Sequence, residues 1–194
     1  MSQMPPVSLA DGEFVLRQWQ PDEAGVLTAM VLDSLEHLRP WQPFVRSEPV
    51  PVRDRVSMIE RWASERTEGG DTIYGMFVDG VAVGNCGLHR RLGPSALELG
   101  YWVSVDHVRC GYATLAARLL TDAAFALVDV DHVEIHHDAA NVASSGIPRR
   151  LGYRLVEQRP GGVGADGDTG IEWIWRMDRS GWLPRCSGSE AASR

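Results

Sequence analysis

"SALELGYWVSVDHVRCGYATLAARLLTDAAFALV", residues 95–128, changes its hydrophobic period halfway along, and that change decides the fold. Residues 95–105 form an apolar run carrying one charge, Glu98, and read as a strand. Beyond it Leu115, Leu119, Leu120, Ala123 and Leu127 recur at helical spacing and predict a helix over 112–128. Between the two, "DHVRCGYAT" (106–114) supplies one glycine, Gly111, and a row of amides at a helix start. Such a loop suits an anion: Gly111 lets the backbone approach closely, and the helix dipole adds about 0.3–1 kcal/mol per negative charge. The alternative is an ordinary helix start capped by water. GxxxxGK[ST] is absent, which excludes Walker A chemistry here, and a single glycine where GxGxxG needs three makes a poor Rossmann loop.

Upstream, "FVLRQWQ" (14–20) reads as a first strand, and Pro21 opens a helix running to about Asp33. "SLEHLRPWQPF" (34–44) is broken by two prolines. Residues 51–68 predict a helix with Val52, Val56, Ile59 and Ala63 on its buried face and charges such as Asp54, Arg55 and Glu60 on a solvated one. "DTIYGMFV" and "VAVGNCGLHRR" are joined by Asp79-Gly80, a hairpin signal. Downstream, "HVEIHH" (132–137) is a strand and "ASSGIPRRL" a short helix stopped by Gly152. "YRLVEQ" and "IEWIWRM" close the chain as a pair, with a glycine-rich loop between them read as mobile. Trp173 and Trp175 are structural or dimer-facing, so a homodimer is left open. The order β-α-α-β-β-β-α-β-α-β-β implies an α/β (α+β) fold whose mixed sheet has helices on its faces. A ligand is expected where the strand before the long helix ends.

A chain of 194 residues suits one domain, taken as 1–180, followed by a flexible tail over 181–194. The net charge of -7 argues against nucleic acid as a partner, and no run of apolar residues is long enough to span a membrane. Cys86, Cys110 and Cys186 share no CxxC spacing, so neither a disulfide framework nor a zinc site is expected; the N-terminus lacks a secretory pattern. A cytoplasmic protein is the expectation. His136 and His137 are consecutive in a strand and point to opposite faces, so they do not chelate one metal.

Glu98 is costly in an apolar strand unless paired or hydrogen-bonded, and is a candidate general base. A structural ion pair with an arginine is its alternative. Asn141 and Ser144 stand three apart at the start of a short helix, where Asn141 also suits an N-cap.

"GNCGLHR" (84–90), "ELGYWV" (98–103), "VRCGYAT" (108–114), "NVAS" (141–144), "RLGY" (150–153) and "LRPWQPF" (38–44) follow in this order. The set resembles the GNAT N-acetyltransferase superfamily, in the branch of ribosomal-protein N-terminal acetyltransferases. The resemblance implies a mostly antiparallel sheet of about seven strands, splayed at an acyl-CoA site. It implies acetyl-CoA as co-substrate and an amine-bearing acceptor: a protein N-terminus, a lysine or a small molecule. Backbone groups of Val103 and Val105 would pair with pantetheine. Val108, Arg109, Cys110, Gly111, Tyr112, Ala113 and Thr114 would hold the pyrophosphate. Asn141 and Ser144 would flank the pantetheine arm and the thioester. Glu98 would take the amine proton, and the amine would attack the acyl carbonyl directly. Trp41, Phe44 and His89 would serve the acceptor side, with plain packing as the alternative for each.

Two departures stand out. Val108 replaces the usual polar first residue of the loop, leaving Arg109 as the charge. The position seven residues after Asn141, often an acidic tyrosine in such enzymes, is Pro148, so Ser144 is the substitute acid, ahead of Ser145 and Tyr112. Cys110 has no recognisable base for covalent catalysis. A non-catalytic acyl-CoA sensor, a transferase of another acyl group such as succinyl, and a partner protein that has lost CoA are the competing functions.

Overall fold

The computed structural model describes residues 4–182. In chain order the elements are β1 (Ser8–Asp11), β2 (Phe14–Arg17), α1 (Ala24–Asp33), α2 (Leu35–Leu38), α3 (Val52–Thr67), β3 (Thr72–Val78), β4 (Val81–His89) and β5 (Ala96–Val103). There follow α4 (Tyr112–Ala126), β6 (His132–Asp138), α5 (Val142–Leu151), β7 (Arg154–Pro160) and β8 (Ile171–Asp178). The eight strands lie in the order β1-β2-β3-β4-β5-β6-β8-β7, with only β5 and β6 parallel. This is the mixed, mostly antiparallel sheet expected, with one strand more. The addition is β1, which pairs with β2 across the turn at Gly12, while β2 stops at Arg17 rather than continuing to Gln20.

Each sheet face has its own core. Alternate residues such as Leu16, Tyr74, Leu88, Leu97 and Leu99 meet α4 on one face, where Ala116, Ala117 and Leu120 are fully buried. Each such leucine contributes about 1.5–3 kcal/mol by leaving water. On the other face Trp19 and Phe77 meet Leu27, Val31 and Ile59 from α1 and α3. That cover reaches β4 and Trp102 of β5, and farther along the same face Glu98, Glu134, His136 and Arg176 gather around the buried Ile174.

Two expectations change. Arg55 on α3 is buried rather than solvated and pairs with Glu48 at 2.5 Å; Arg66, later in the same helix, is also buried and donates to the Pro5 carbonyl. The glycine-rich loop is tied down. Asp168 accepts from the amides of Gly164 and Ala165, and Asp138 accepts from Thr169 and Gly170. Across the molecule Gly167 donates to the Pro40 carbonyl, and Arg46 pairs with Asp166 at 3.1 Å. The tail expected to be flexible lies, from residue 183 onward, outside the described residues. No helix among the described residues is long and apolar enough to cross a membrane.

Candidate active site

The parallel pairing of β5 with β6 ends at Glu98 and Glu134. Beyond that pair β5 follows β4 and β6 follows β8, so the two strands part. A cavity of about 520 Å3 opens beside the end of β5, walled by the starts of α4 and α5 and by the segment after α2.

The loop before α4 forms one wall. Gly111 caps the helix with φ 85°, and Arg109 is held at φ 65°, a left-handed conformation that costs a non-glycine residue about 1–2 kcal/mol. Among the described residues, no amide from Val108 to Thr114 has a hydrogen-bond partner, which leaves a row of donors in the loop bordering the cavity. Val108, Arg109, Gly111, Tyr112, Ala113 and Thr114 line the cavity; Cys110 does not. Its exposed thiol approaches only the Val108 carbonyl, 3.6 Å away. Arg150, the first residue of "RLGY" and assigned no role from the sequence, also lines the cavity and donates to Thr114 Oγ1 at 3.2 Å. The loop therefore has two guanidinium groups beside it, those of Arg109 and Arg150.

The start of α5 forms the opposite wall. Asn141 is the N-cap: its Oδ1 accepts from the Ser144 amide at 3.1 Å, and both residues line the cavity. Pro148 lies inside α5 and has no N–H to give the Ser144 carbonyl one turn earlier. The Tyr101 hydroxyl, also in the cavity wall, donates to that carbonyl at 3.5 Å. Burial pushes the Tyr101 phenol well above its usual range. Of the weaker acid candidates, Ser145 turns away to His137, 3.4 Å distant, and Tyr112 stacks on Phe14.

Val103 and Trp41 line the cavity, whereas Val105, Phe44, His89 and Glu98 are not in its wall. The Val105 amide is already bonded to Ser34 Oγ at 3.1 Å and is not available to a ligand. Phe44 packs against Trp102, so it supports the wall from behind. His89 is bound to Asp71 at 2.5 Å and sits opposite Glu98 in the sheet register, its ring over Gly87 and Gly100. The bond to His89 helps hold the Asp71 carboxyl below its usual range, against the opposing effect of burial.

Glu98 stands where the strands part, on the face of β5 away from α4, with a side chain only 17% exposed. It is not isolated. Arg91 Nε lies 3.3 Å away and His136 Nδ1 4.0 Å away. His136 continues to Glu134, which Arg176 also holds. Burial opposes ionisation of Glu134, yet the bonds from His136 and Arg176 prevail and bring its carboxyl down to about 2. His137 points the other way, where Trp175 Nε1 donates to its Nε2 at 2.9 Å, so the two histidines do face opposite sides.

Residues 13–154 match the family described as the acetyltransferase (GNAT) domain. The Bacillus subtilis protein named "Putative ribosomal N-acetyltransferase YdaF" is 25% identical over 140 residues, covering 71% of this chain and 76% of its own. Among solved structures, RimL, a ribosomal L7/L12 alpha-N-protein acetyltransferase in complex with coenzyme A, superposes with a TM-score of 0.80. It is 16% identical and covers 92% of this chain and 99% of its own. The microcin C7 self-immunity acetyltransferase MccE, in complex with acetyl-CoA and AMP, gives 0.79 at 15% identity, over 87% and 93%. With a family match spanning most of its length and the splayed sheet that accompanies it, this chain belongs to the GNAT acetyltransferase family.

Proposed function

We propose that this protein transfers an acetyl group from acetyl-CoA to a primary amine, with a protein N-terminus as the acceptor. The row of unpartnered amides from Val108 to Thr114, in the loop bordering the cavity between β5 and α5, carries the reading. These amides, with Arg109 and Arg150 beside them, would hold the pyrophosphate of the donor. Pantetheine would run along the free edge of β5 at Val103, as an added strand. Asn141 and Ser144 would border its thioester end.

An α-amino group has a pKa of about 7.7–8.0 and a lysine about 10.4, so the acceptor arrives mostly protonated and needs a base. Glu98, at the apex of the splay, takes that proton. The amine nitrogen then bonds to the acyl carbon, the C–S bond breaks, and the CoA thiolate leaves. Ser144 is the candidate to relay to it the second proton, which the nitrogen sheds as the amide forms. The acceptor reaches Glu98 across the side bordered by Trp41, with His89 at its edge.

The name of RimL points to a protein α-amine, and that of MccE keeps small molecules as the second class of acceptor. Thiol release from acetyl-CoA, with succinyl-CoA in parallel, is to be screened over peptides with free N-termini, lysine peptides and aminoglycosides. Peptide turnover that collapses at least about 100-fold in Glu98→Gln, at unchanged acetyl-CoA affinity, is the expected result. Acetyl-CoA that does not bind in calorimetry would sink the proposal, and binding with no turnover on any amine would favour a sensor.

A further inference from the structure

Three carboxylates surround one imidazole on the charged face of the sheet. His136, its side chain 9% exposed, projects from β6 between Glu98 of β5, Glu134 of its own strand and Glu172 of β8. Each glutamate already has an arginine: Arg91 for Glu98 at 3.3 Å, Arg176 for Glu134 at 2.6 Å, and Arg159 of β7 for Glu172 at 2.8 Å. His132 also approaches Glu134, at 3.6 Å. The three carboxylates are thus matched in charge without His136, whose proton is free to come and go.

The two ring nitrogens have different tasks. Nε2 lies 2.7 Å from Glu134 Oε2, and an ionised carboxylate only accepts, so Nε2 carries a hydrogen in either charge state. Nδ1 faces Glu172 Oε1 at 3.4 Å and Glu98 Oε2 at 4.0 Å. The second gap exceeds a hydrogen bond by about 1 Å, within reach of a small side-chain movement.

We infer that His136 is the proton carrier behind Glu98: the proton taken from the acceptor ammonium passes from Glu98 to His136 Nδ1 and leaves through Glu172. The inference rests on Glu98 being the base, as proposed above. One proton enters and leaves at the same nitrogen, so the ring returns to its starting tautomer after each turnover. Glu172 is 28% exposed and can hand the proton to water. Burial disfavours the charged ring, but the bond to Glu134 and the charges of Glu98 and Glu172 outweigh it and raise His136 above its ordinary value. With its affinity for a proton raised, the ring draws the proton onward from Glu98 and frees that carboxylate for the next acceptor. His136 acts only through Glu98 and is a positioning residue for the base.

The test has two arms. In the full chain with 15N-labelled histidine, nuclear magnetic resonance follows the His136 ring through its titration. A neutral ring protonated at Nε2 is expected, with its midpoint lowered by about one pH unit in both Glu98→Gln and Glu172→Gln. This arm needs no acceptor, so a midpoint unmoved by both substitutions, or a neutral ring protonated at Nδ1, overturns the inference. The second arm is the pH profile of thiol release from acetyl-CoA with a seryl peptide as probe. His136→Gln keeps an amide donor for Glu134 but carries no proton. Its kcat should fall about 10-fold or more at unchanged KM for acetyl-CoA, with the acidic limb moved toward lower pH. A His136→Gln profile superimposable on the parent's overturns the carrier alone, whereas failure of the parent chain to bind acetyl-CoA overturns the proposed function instead.

Discussion

Gly84 faces Val103 across the β4–β5 pair, and replacing it with alanine tests how tightly β5 is held beside the cavity. A Cβ at Gly84 would lie 2.5 Å from the Trp102 carbonyl oxygen and 3.1 Å from both Met76 Sδ and Val103 Cα. Carbon–oxygen contacts in sheets close to about 3.3 Å, so the β5 backbone must retreat roughly 0.8 Å at Trp102. Two of the three obstructing atoms are backbone and cannot rotate away. Overpacking of this kind costs about 1–3 kcal/mol, which in a protein of this size lowers Tm by about 2–12 °C. Trp102 and Val103 both border the cavity, so acetyl-CoA affinity should fall as well. Gly25→Ala is the control. Gly25 is exposed near the start of α1 with nothing within 4 Å of its would-be Cβ, and alanine there should add about 0.4–1 kcal/mol. Calorimetric melting and titration with acetyl-CoA read both variants. A Gly84→Ala protein with the parent's Tm and the parent's affinity would refute the claim that β5 is locked at this point.

Three further outcomes are expected. Tyr153→Phe removes a buried bond to Thr121 of 2.7 Å, but Thr121 keeps the Ala117 carbonyl, so urea unfolding should register a loss of only about 1 kcal/mol. Glu134 is depressed from 4.5 to about 2 on folding, so its contribution is complete above the unfolded value and is lost as pH falls through the folded one. The full shift would be worth about 3 kcal/mol, and solvent around the 39%-exposed Arg176 reduces this to about 1–2. Urea midpoints should therefore drop progressively between about pH 5 and pH 2 in the parent and less in Glu134→Gln. Arg150→Ala should weaken acetyl-CoA about 10-fold or more in calorimetry, with Arg150→Lys intermediate, because a charge-assisted bond contributes about 1.5–3 kcal/mol. Equal affinities in all three would remove Arg150 from the donor site.

The turn at Asp79-Gly80 was readable from two letters because both residues sit at positive φ, 50° and 77°, as a tight hairpin demands. The period change in residues 95–128 was readable because one side of α4 is buried and the other is not. β1 left no such trace: it is a four-residue edge strand with almost every side chain exposed, so nothing forces alternation. Composition misjudged the glycine-rich loop, since Arg46, which holds Asp166, is 120 positions away in the sequence. Arg55 is buried although its partner Glu48 is only seven positions away, because the turn before α3 folds Glu48 back against the helix, and helical periodicity does not report such a turn. At the site, the lone charge of Glu98 drew attention by itself. Its neighbours on β6 and β8 did not, because strand order rather than sequence order brings His136 and Glu172 together.

The eight strands outline one continuous sheet, yet its halves are laced together by only three residue pairs, Ala96 with His132, Leu97 with Val133 and Glu98 with Glu134. On either side of that seam the strands have antiparallel partners of their own, so the hydrogen bonds of each leaf do not depend on the other. α4 touches β4 and β5 on one leaf and β6 on the other, and so lies along the fold line like the spine of a book. A slender molecule bonded into the open end of the seam would lengthen it and join the two leaves more firmly. Its arrival would be felt by amides that never touch it, including those of β8 at the far side of β6.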